Sequence, residues 1–195
     1  MGVILLDRRI EVRTPMPPSV NDYLGKRVIF INGKPIVQLF ETNEARKFKA
    51  YVKNLLIREC KKNGWVKTDN LQYVVCEVVA YMPQKKRDAD NIFKCLLDAF
   101  KDSEIVFHDD CMVIPRIENI FIDAKNPRLE ISMYPSEKIG VFRNKDEMND
   151  FCLKNCFNCK KFKTYDYRCK QLRSCLENKI INEVDLNSMT CLEKK

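Results

Sequence analysis

Apolar and polar residues follow two different periods along the first two thirds of the chain. The segment RIEVRT (9–14) alternates and predicts a short strand, and the three prolines just after it predict an extended loop. Two β-rich runs within 27–40 flank Asn32-Gly33, a pair typical of a tight hairpin with positive φ. The run LQYVVCEVVAYM (71–82) is apolar at most positions, which predicts a buried central strand.

Two segments have helical spacing instead. Thr42 can cap a helix that continues to Gly64, and a second helix is predicted from about Asp90 to Lys101. Two more strands follow, the first with Pro115 as the mark of an edge or a bulge. The order strand, hairpin, helix, strand, helix, strand, strand predicts an α+β domain over 1–138, with a mixed β-sheet and two main helices.

Composition and charge narrow the class of protein. With 195 residues, 45% of them hydrophobic, the chain can bury a core. No apolar run is long enough for a membrane span, and the first residues are too short and too charged for a signal peptide, so a cytoplasmic or nucleoplasmic protein is expected. The formal charge of +8 indicates a polyanionic partner such as nucleic acid.

Carboxylates with the spacing of a metal site stand before and after the second predicted helix. Asp88 and Asp90 are two residues apart, so in an extended segment both side chains point the same way. Lys94 lies one helical turn after Asp90. The pair Asp109-Asp110 follows the helix. Converging aspartates can hold Mg²⁺ and leave coordination positions for a scissile phosphate, as a metal-dependent nuclease requires; the spacing alone is equally open to a solvated turn with a capped helix behind it.

Several polar residues nearby can contact the DNA backbone. Lys85, Lys86 and Arg87 directly precede the first carboxylate and are positioned to hold phosphates. In the proline-rich loop, Asn21 and Tyr23 either touch DNA or only order the loop.

The motifs resemble those of the RusA family of Holliday-junction resolvases. MPQKKRDADNIFKCLLDAF followed by FHDDCMV is similar to that family's basic run, its D-x-D-N, its lysine four residues after the second aspartate and its later D-D pair. The segment TPMPPSVNDYLG is similar to its proline-rich N-terminal signature. The resemblance covers about residues 10–134.

The resemblance implies a set of catalytic residues and a partner. Asp88, Asp90 and Asp110 are implied as the carboxylates that bind the catalytic Mg²⁺, Lys94 as a catalytic or phosphate-orienting lysine, and Asp109 as an outer partner. Family members are homodimers that nick four-way DNA junctions symmetrically, and a phage setting suits the family.

Two neighbouring residues leave alternatives open. Asn91 completes the D-x-D-N pattern and either acts directly or only satisfies backbone groups. His108 is the only histidine and lies next to the acidic pair, where it is either a general base or an exposed loop residue.

Ten cysteines without an export signal favour free thiols or metal ligation over disulfides. Four are scattered through apolar patterns of the first domain, where free cysteine is a small core residue. The other six define a separate module at 139–195: Cys152, Cys156, Cys159, Cys169, Cys175 and Cys191.

The spacing of these six predicts a structural zinc site. Cys156 and Cys159 form a C-x2-C pair, Cys169 is the natural third ligand, and the fourth is Cys191 or Cys175. A resemblance to small cysteine-rich modules of phage-type proteins favours Cys191. A segment this short cannot easily build its own core, so a structural Zn²⁺ would supply the missing stability.

The expected function is therefore a Mg²⁺-dependent endodeoxyribonuclease that resolves Holliday junctions and carries a zinc-binding module. One competing interpretation is a DNA-binding protein without catalysis, which uses the basic surface and the module. Another is a zinc-dependent module for binding a second protein.

Overall fold

The computed structural model describes residues 8–68, 72–85, 91–162 and 169–194. The chain divides into two compact units: the first is 1–68 with 74–134, and the second is 69–73 with 135–195. None of the helices in the described ranges is long and apolar enough to cross a membrane.

The elements up to the end of the sheet follow the predicted order, with one short helix added. In chain order they are β1 Ile10–Pro15, α1 Val20–Tyr23, β2 Leu24–Ile31, β3 Lys34–Glu41, α2 Asn43–Lys62, β4 Gln72–Met82, α3 Asn91–Ser103, β5 Val113–Ile122 and β6 Arg128–Ile139. A 3₁₀ turn, Asp110–Met112, precedes β5.

Four strands form a mixed sheet in the order β1-β6-β4-β5. β1 pairs with β6 antiparallel, whereas β4 pairs with β5 in parallel, with an irregularity in register between Val78 and Val79. β4 is a central strand and β5 lies at an edge, so the predictions for 71–82 and Pro115 are both confirmed. A proline is tolerated in β5 because an edge strand leaves one row of backbone groups unpaired.

Helix α2 begins where the capping residue predicts. The Thr42 hydroxyl accepts a hydrogen bond from the Ala45 amide at 3.3 Å, and the helix ends at Lys62, two residues before Gly64 with φ +62°. Its apolar stripe includes Val52 and Leu56, both fully buried. This stripe and that of α3 form one core with alternate residues of β4: Val74, Cys76, Val78, Ala80 and Met82.

The hairpin predicted around Asn32-Gly33 is present. Asn32 has φ +53° and Gly33 φ +74°, which are the two positive φ angles that a type I′ turn requires. Within the part of the chain that the structure describes, β2 and β3 pair only with each other and form a separate two-stranded sheet.

The proline-rich loop differs from its prediction. Instead of a fully extended loop it contains α1, a single turn in which the Ser19 hydroxyl donates to the Asp22 carboxylate at 2.6 Å. Tyr23, in this turn, is 4% exposed. Burial of this ring and the Ser19–Asp22 bond stabilise a turn that the prolines alone do not indicate.

The second unit is built from short elements: α4 Lys145–Phe151, a π-helical turn at Cys152–Cys156, α5 Lys170–Leu176, β7 Val184–Asp185 and β8 Thr190–Cys191. Its core contains Phe142, Phe151, Leu172, Leu176 and Val184 with several of the cysteines. Gly140 has φ +56°, and a Cβ there would lie 2.0 Å from the Cys175 carbonyl oxygen, so only glycine fits.

Candidate active site

Helix α3 presents a polar stripe opposite its buried side. Asn91, Lys94, Asp98 and Lys101 follow one another at intervals of three or four residues and therefore share one face. The other face packs into the core through Ile92, Cys95, Leu96, Ala99 and Phe100. The apolar period thus fixes the direction in which the four polar side chains project.

Lys94 is held by a carboxylate one turn further along. Its ammonium lies 3.2 Å from Asp98 Oδ1, while Asp98 Oδ2 accepts a hydrogen bond of 2.8 Å from the Tyr23 hydroxyl. The Lys94 side chain is 59% exposed and that of Asp98 only 18%. Asp98 therefore connects an exposed cation to the buried ring of Tyr23.

Lys49 of α2 stabilises this arrangement through two ion pairs and a contact with the Tyr23 ring. Its ammonium pairs with Glu41 and with Asp102, the latter at 2.6 Å, and lies 5.3 Å from the centre of the Tyr23 ring. Burial disfavours the charged form of Lys49, but its hydrogen bonds to Asp102 and Glu41 outweigh this and raise its pKa above the usual range. The ammonium is therefore a fixed positive charge.

Tyr23 has a single hydroxyl proton, and two carboxylates lie within reach of it. Glu41 is 3.1 Å away and Asp98 2.8 Å, so we assign the proton to Asp98. Burial raises the pKa of Tyr23 well above its usual range, Lys49 opposes this, and Asp98 raises it further. The Tyr23 hydroxyl thus stays protonated and remains a hydrogen-bond donor to Asp98.

A second acidic cluster lies near the end of α3. Lys101 bridges Asp109 at 3.1 Å and Asp110 at 3.2 Å, and Asp109 also accepts from the Cys111 amide at 3.2 Å. A hydrogen bond shared with Asp110, the Cys111 amide and Lys101 together hold the pKa of Asp109 well below its usual range. Both carboxylates are partly exposed, so they are accessible to a cation from solvent.

The residues predicted from sequence fall into three groups. Asp88, Asp90, Lys86 and Arg87 lie outside the described residues. Lys85, Asn21 and His108 are described and exposed, as a contact with DNA requires. Lys94 pairs with Asp98, whereas Asp110 pairs with Lys101. Among the described residues, no ion pair joins Lys94 to Asp110.

Lys49 and Lys101 were not predicted from the sequence, and Tyr23 was predicted only to touch DNA or to order its loop. Lys101 carried a usable signal, because it lies seven residues after Lys94 on the stripe that the helical period already defined. Lys49 and Tyr23 carried none, because their contacts with Asp102 and Asp98 join residues 53 and 75 positions apart.

The open face of the four-stranded sheet is less suited to binding phosphates. Arg13 pairs with Glu130 at 2.6 Å, and Arg128 lies 3.1 Å from the same carboxylate. Glu77 lies 3.5 Å from Arg116. The arginines described on this face are already neutralised by carboxylates, so they offer DNA little net charge.

The cysteines of the second unit lie close together. The Cys156 thiol donates a hydrogen bond to Cys152, and this bond and burial raise the pKa of Cys156 above its usual range; the nearby sulfurs of Cys152, Cys169 and Cys191 raise it further. Burial, then Cys191 and Cys169, raises the pKa of Cys175 to about 11. Of the thiols in this unit, Cys156, Cys159, Cys169, Cys175 and Cys191 are buried and Cys152 is half-buried.

A buried amide connects two parts of this cluster. Asn155 donates to the Met189 carbonyl at 3.1 Å and accepts from the Cys191 amide at 2.9 Å. It therefore holds the strand that carries Cys191 against the π-helical turn that carries Cys156. This role of Asn155 was not predicted.

A zinc site is not supported by the arrangement of these thiols. Within the described residues, no group of three or more histidine, cysteine, aspartate or glutamate side chains is placed so that it could hold a metal ion. Cys156, Cys159, Cys169 and Cys191 are all described, so this finding applies to the whole predicted ligand set. For the predicted Mg²⁺ site the finding applies only to Asp110, because Asp88 and Asp90 lie outside the described residues.

The family model Endodeoxyribonuclease RusA matches residues 15–134, from the end of β1 into β6. The match covers more than half of the chain, and the chain belongs to the RusA endodeoxyribonuclease family. A comparison with curated proteins gave no match.

Proposed function

We propose that the chain is a Mg²⁺-dependent endodeoxyribonuclease that resolves four-way DNA junctions by paired, symmetric nicks and acts as a homodimer. The family match over 15–134 carries this proposal, since it includes every carboxylate and the lysine of the predicted active site. The formal charge of +8 supports a nucleic-acid substrate.

The proposed metal site uses Asp88, Asp90 and Asp110. Carboxylate oxygens are the ligands that Mg²⁺ prefers, so the donor set fits the ion. When bound there, Mg²⁺ would polarise water and neutralise charge on the scissile phosphate. Of the three carboxylates only Asp110 is described; it is partly exposed and beside Lys101.

Lys94 has the position of a phosphate-binding lysine in this proposal. Its side chain is more than half exposed, while Asp98 and Tyr23 restrain its direction from the protein side. A restrained ammonium can stabilise the negative charge that develops on phosphate oxygens without reorganising during the reaction. Lys85, Lys86, Arg87 and Asn21 would bind the DNA backbone on either side.

The test is cleavage of a labelled four-way junction and of a linear duplex with the same sequence, with and without Mg²⁺. We expect symmetric nicks in the junction alone, dependent on Mg²⁺, and lost in Asp90→Asn and Asp110→Asn. Asp150→Asn, at an exposed carboxylate of the second unit, is the matched control and keeps full activity. Tight junction binding without cleavage by the wild type, with several divalent ions, would instead establish a DNA-binding protein without catalysis.

The structural zinc predicted from the cysteine spacing has no support in the arrangement of the described thiols, so it stays a prediction from donor chemistry alone. The ligands would be Cys156, Cys159, Cys169 and Cys191, which are buried thiols of the type Zn²⁺ prefers. The metal content of purified protein decides the matter: one zinc per chain, lost in Cys156→Ser and retained in Cys111→Ser, would support it. Metal-free wild type with unchanged thermal stability after chelation would reject it.

A further inference from the structure

The base of the β2–β3 hairpin is fixed to the residues around Lys94. Tyr23 directly precedes β2 and donates to the carboxylate that pairs with Lys94. Glu41 ends β3 and pairs with Lys49, and the amide of the next residue, Thr42, donates to the Tyr23 carbonyl at 3.1 Å. Both strands of the hairpin therefore begin and end in the network that holds Lys94.

The half of the hairpin near its turn is apolar and exposed on both faces. Phe30 lies on one face with Val37, and their exposed fractions are 72% and 63%. Ile31 and Ile36 lie on the other face, with exposed fractions of 49% and 44%. A partner lying flat on one face would leave the other apolar face in water, so this shape favours insertion between two surfaces.

The hairpin carries three cations and no carboxylate before Glu41. Lys26 and Arg27 lie near the base and Lys34 at the turn, so the cations flank the apolar residues at both ends. Arg27 donates to the neutral Gln38 at 2.7 Å, and within the described residues none of the three cations pairs with a carboxylate. Unpaired cations around an apolar surface suit a nucleic acid, whose phosphates flank its bases, whereas they would repel a second copy of the hairpin.

We propose that this hairpin is an arm that inserts into the open centre of a four-way DNA junction; it is called the junction arm below. The inference rests on the proposed function, which supplies the junction as substrate. Phe30 stacks against the base pairs on one side of the crossover, and Ile31 and Ile36 pack against those on the other side. The cations at the turn and at the base bind the neighbouring phosphates.

The length of the junction arm fits this role. β2 and β3 have eight residues each, which corresponds to about 26 Å. Both grooves of B-DNA are only about 8 Å deep, so the turn reaches the base pairs while the base of the arm stays at the level of the backbone. Because that base is tied to Lys94, insertion brings phosphates beside the crossover close to the proposed catalytic lysine.

Insertion of this arm distinguishes a junction from a duplex. The stacks of base pairs end at the crossover, so an apolar arm meets open base faces there. In a continuous duplex the same insertion must first unstack a base step, which costs free energy. Phe30 should therefore contribute to affinity for junctions and little to affinity for duplexes.

The test measures binding without divalent ions, so it is independent of cleavage. Fluorescence anisotropy compares a labelled four-way junction with a linear duplex of the same sequence for wild type, Phe30→Ala and Phe157→Ala. Phe157 is 75% exposed and lies in the second unit, so it is the matched control. We expect Phe30→Ala to bind the junction about tenfold more weakly, with unchanged duplex affinity and far-UV spectrum, and Phe157→Ala to bind both as the wild type does.

Lys34→Ala tests the charged end of the junction arm. It should reduce the slope of log affinity against log salt concentration by about one, because one phosphate contact is lost. Phe30→Ala should leave this slope unchanged, since stacking releases no counterions. Lys125→Ala, at an exposed lysine in the turn between β5 and β6, is the control.

A photoreactive base identifies what the junction arm touches. 5-Iodouracil at the crossover should crosslink to Phe30, and the same base far along one branch of the junction should not. Junction binding that survives Phe30→Ala, an equal loss of duplex binding, or crosslinks elsewhere in the chain would overturn the proposal. A lower mass in solution for Phe30→Ala without DNA would also overturn it, by assigning the hairpin to a contact between copies. Crosslinking at Phe30 with no cleavage once Mg²⁺ is added would overturn the proposed function instead and leave the arm standing.

Discussion

The hydroxyl of Tyr23 donates to the Asp98 carboxylate at 2.8 Å, and the other oxygen of that carboxylate lies 3.2 Å from the Lys94 ammonium. A residue of the proline-rich segment thus restrains a lysine of α3 through one shared carboxylate. The proline-rich segment and α3 are far apart in sequence, yet they meet at Asp98. This contact gives the first motif a physical role in the proposed reaction, namely to orient Lys94.

Tyr23→Phe should lower the cleavage rate more than it lowers affinity for DNA. The change removes one hydrogen bond to Asp98, worth about 1 kcal/mol, so we expect a roughly fivefold to tenfold lower kcat with junction binding unchanged. The rate is measured in single-turnover assays. Tyr81→Phe is the matched control, since Tyr81 makes a similar hydrogen bond of 3.1 Å to Glu130 on the sheet. Equal losses in both variants would indicate a general effect on folding.

Lys94→Ala should remove the charge that faces the phosphate. We expect cleavage to fall about a hundredfold, the usual cost of one donor to a developing oxyanion, with a much smaller loss of junction affinity. Lys125→Ala, at an exposed lysine in the turn between β5 and β6, should leave the rate unchanged. A loss in affinity alone, with kcat intact, would assign Lys94 to DNA binding and not to the chemical step.

Asp109→Asn should destabilise the protein at neutral pH and do so less in acid. The pKa of Asp109 is depressed in the folded chain, so its carboxylate stabilises folding above the unfolded value of about 3.9 and loses this effect as the pH falls toward the folded value. Asparagine can still accept from the Cys111 amide, so the difference reports the charge. Urea unfolding at pH 7 and pH 3 measures it, with Asp150→Asn as the control. A gap that persists undiminished at pH 3 would contradict this assignment.

Buried thiols of the first unit should resist alkylation. Burial raises the pKa of Cys76 and Cys95 to about 12 and that of Cys60 to about 11. At pH 8 a thiol with a pKa near 12 is ionised in only about one molecule in ten thousand. With iodoacetamide and peptide mapping, exposed Cys111 should react first, and the other three only after unfolding in urea. Modification of Cys76 in native protein at the rate of Cys111 would show that the β4 core opens.

The sequence predicts best those features that depend on near neighbours. The hairpin follows from Asn32-Gly33, and the start of α2 from Thr42, because the turn and the cap are each formed within a few residues. The Lys94–Asp98 pair lies at the four-residue spacing of a helix, so it too is formed by near neighbours. These contacts need no knowledge of the tertiary fold.

Contacts between segments that are far apart in the sequence were not predicted. Tyr23 reaches Asp98 only because α1 packs near α3, and no local pattern records that approach. The thiol positions of the second unit predict a metal site by spacing alone, whereas a metal site also requires the sulfurs to converge at one point. The spacing along the sequence shows which side chains are available as ligands, but the tertiary packing determines which of them lie close together.

The cap of α2 should account for a measurable part of the stability of the first unit. The Thr42 hydroxyl accepts from the Ala45 amide and donates to the Asp22 carbonyl at 2.9 Å, so it joins α2 to the turn that carries Tyr23. Thr42→Ala should lower the free energy of unfolding by about 1 to 2 kcal/mol, with an unchanged dependence on urea concentration, because the bonds to the Ala45 amide and the Asp22 carbonyl are lost with little change in buried surface. Thr42→Ser keeps the hydroxyl and should stay near the wild type. Because α2 also carries Lys49, which lies over the Tyr23 ring, the alanine variant should lower the cleavage rate as well; equal stability of the two variants would show that the hydroxyl does not cap the helix in solution.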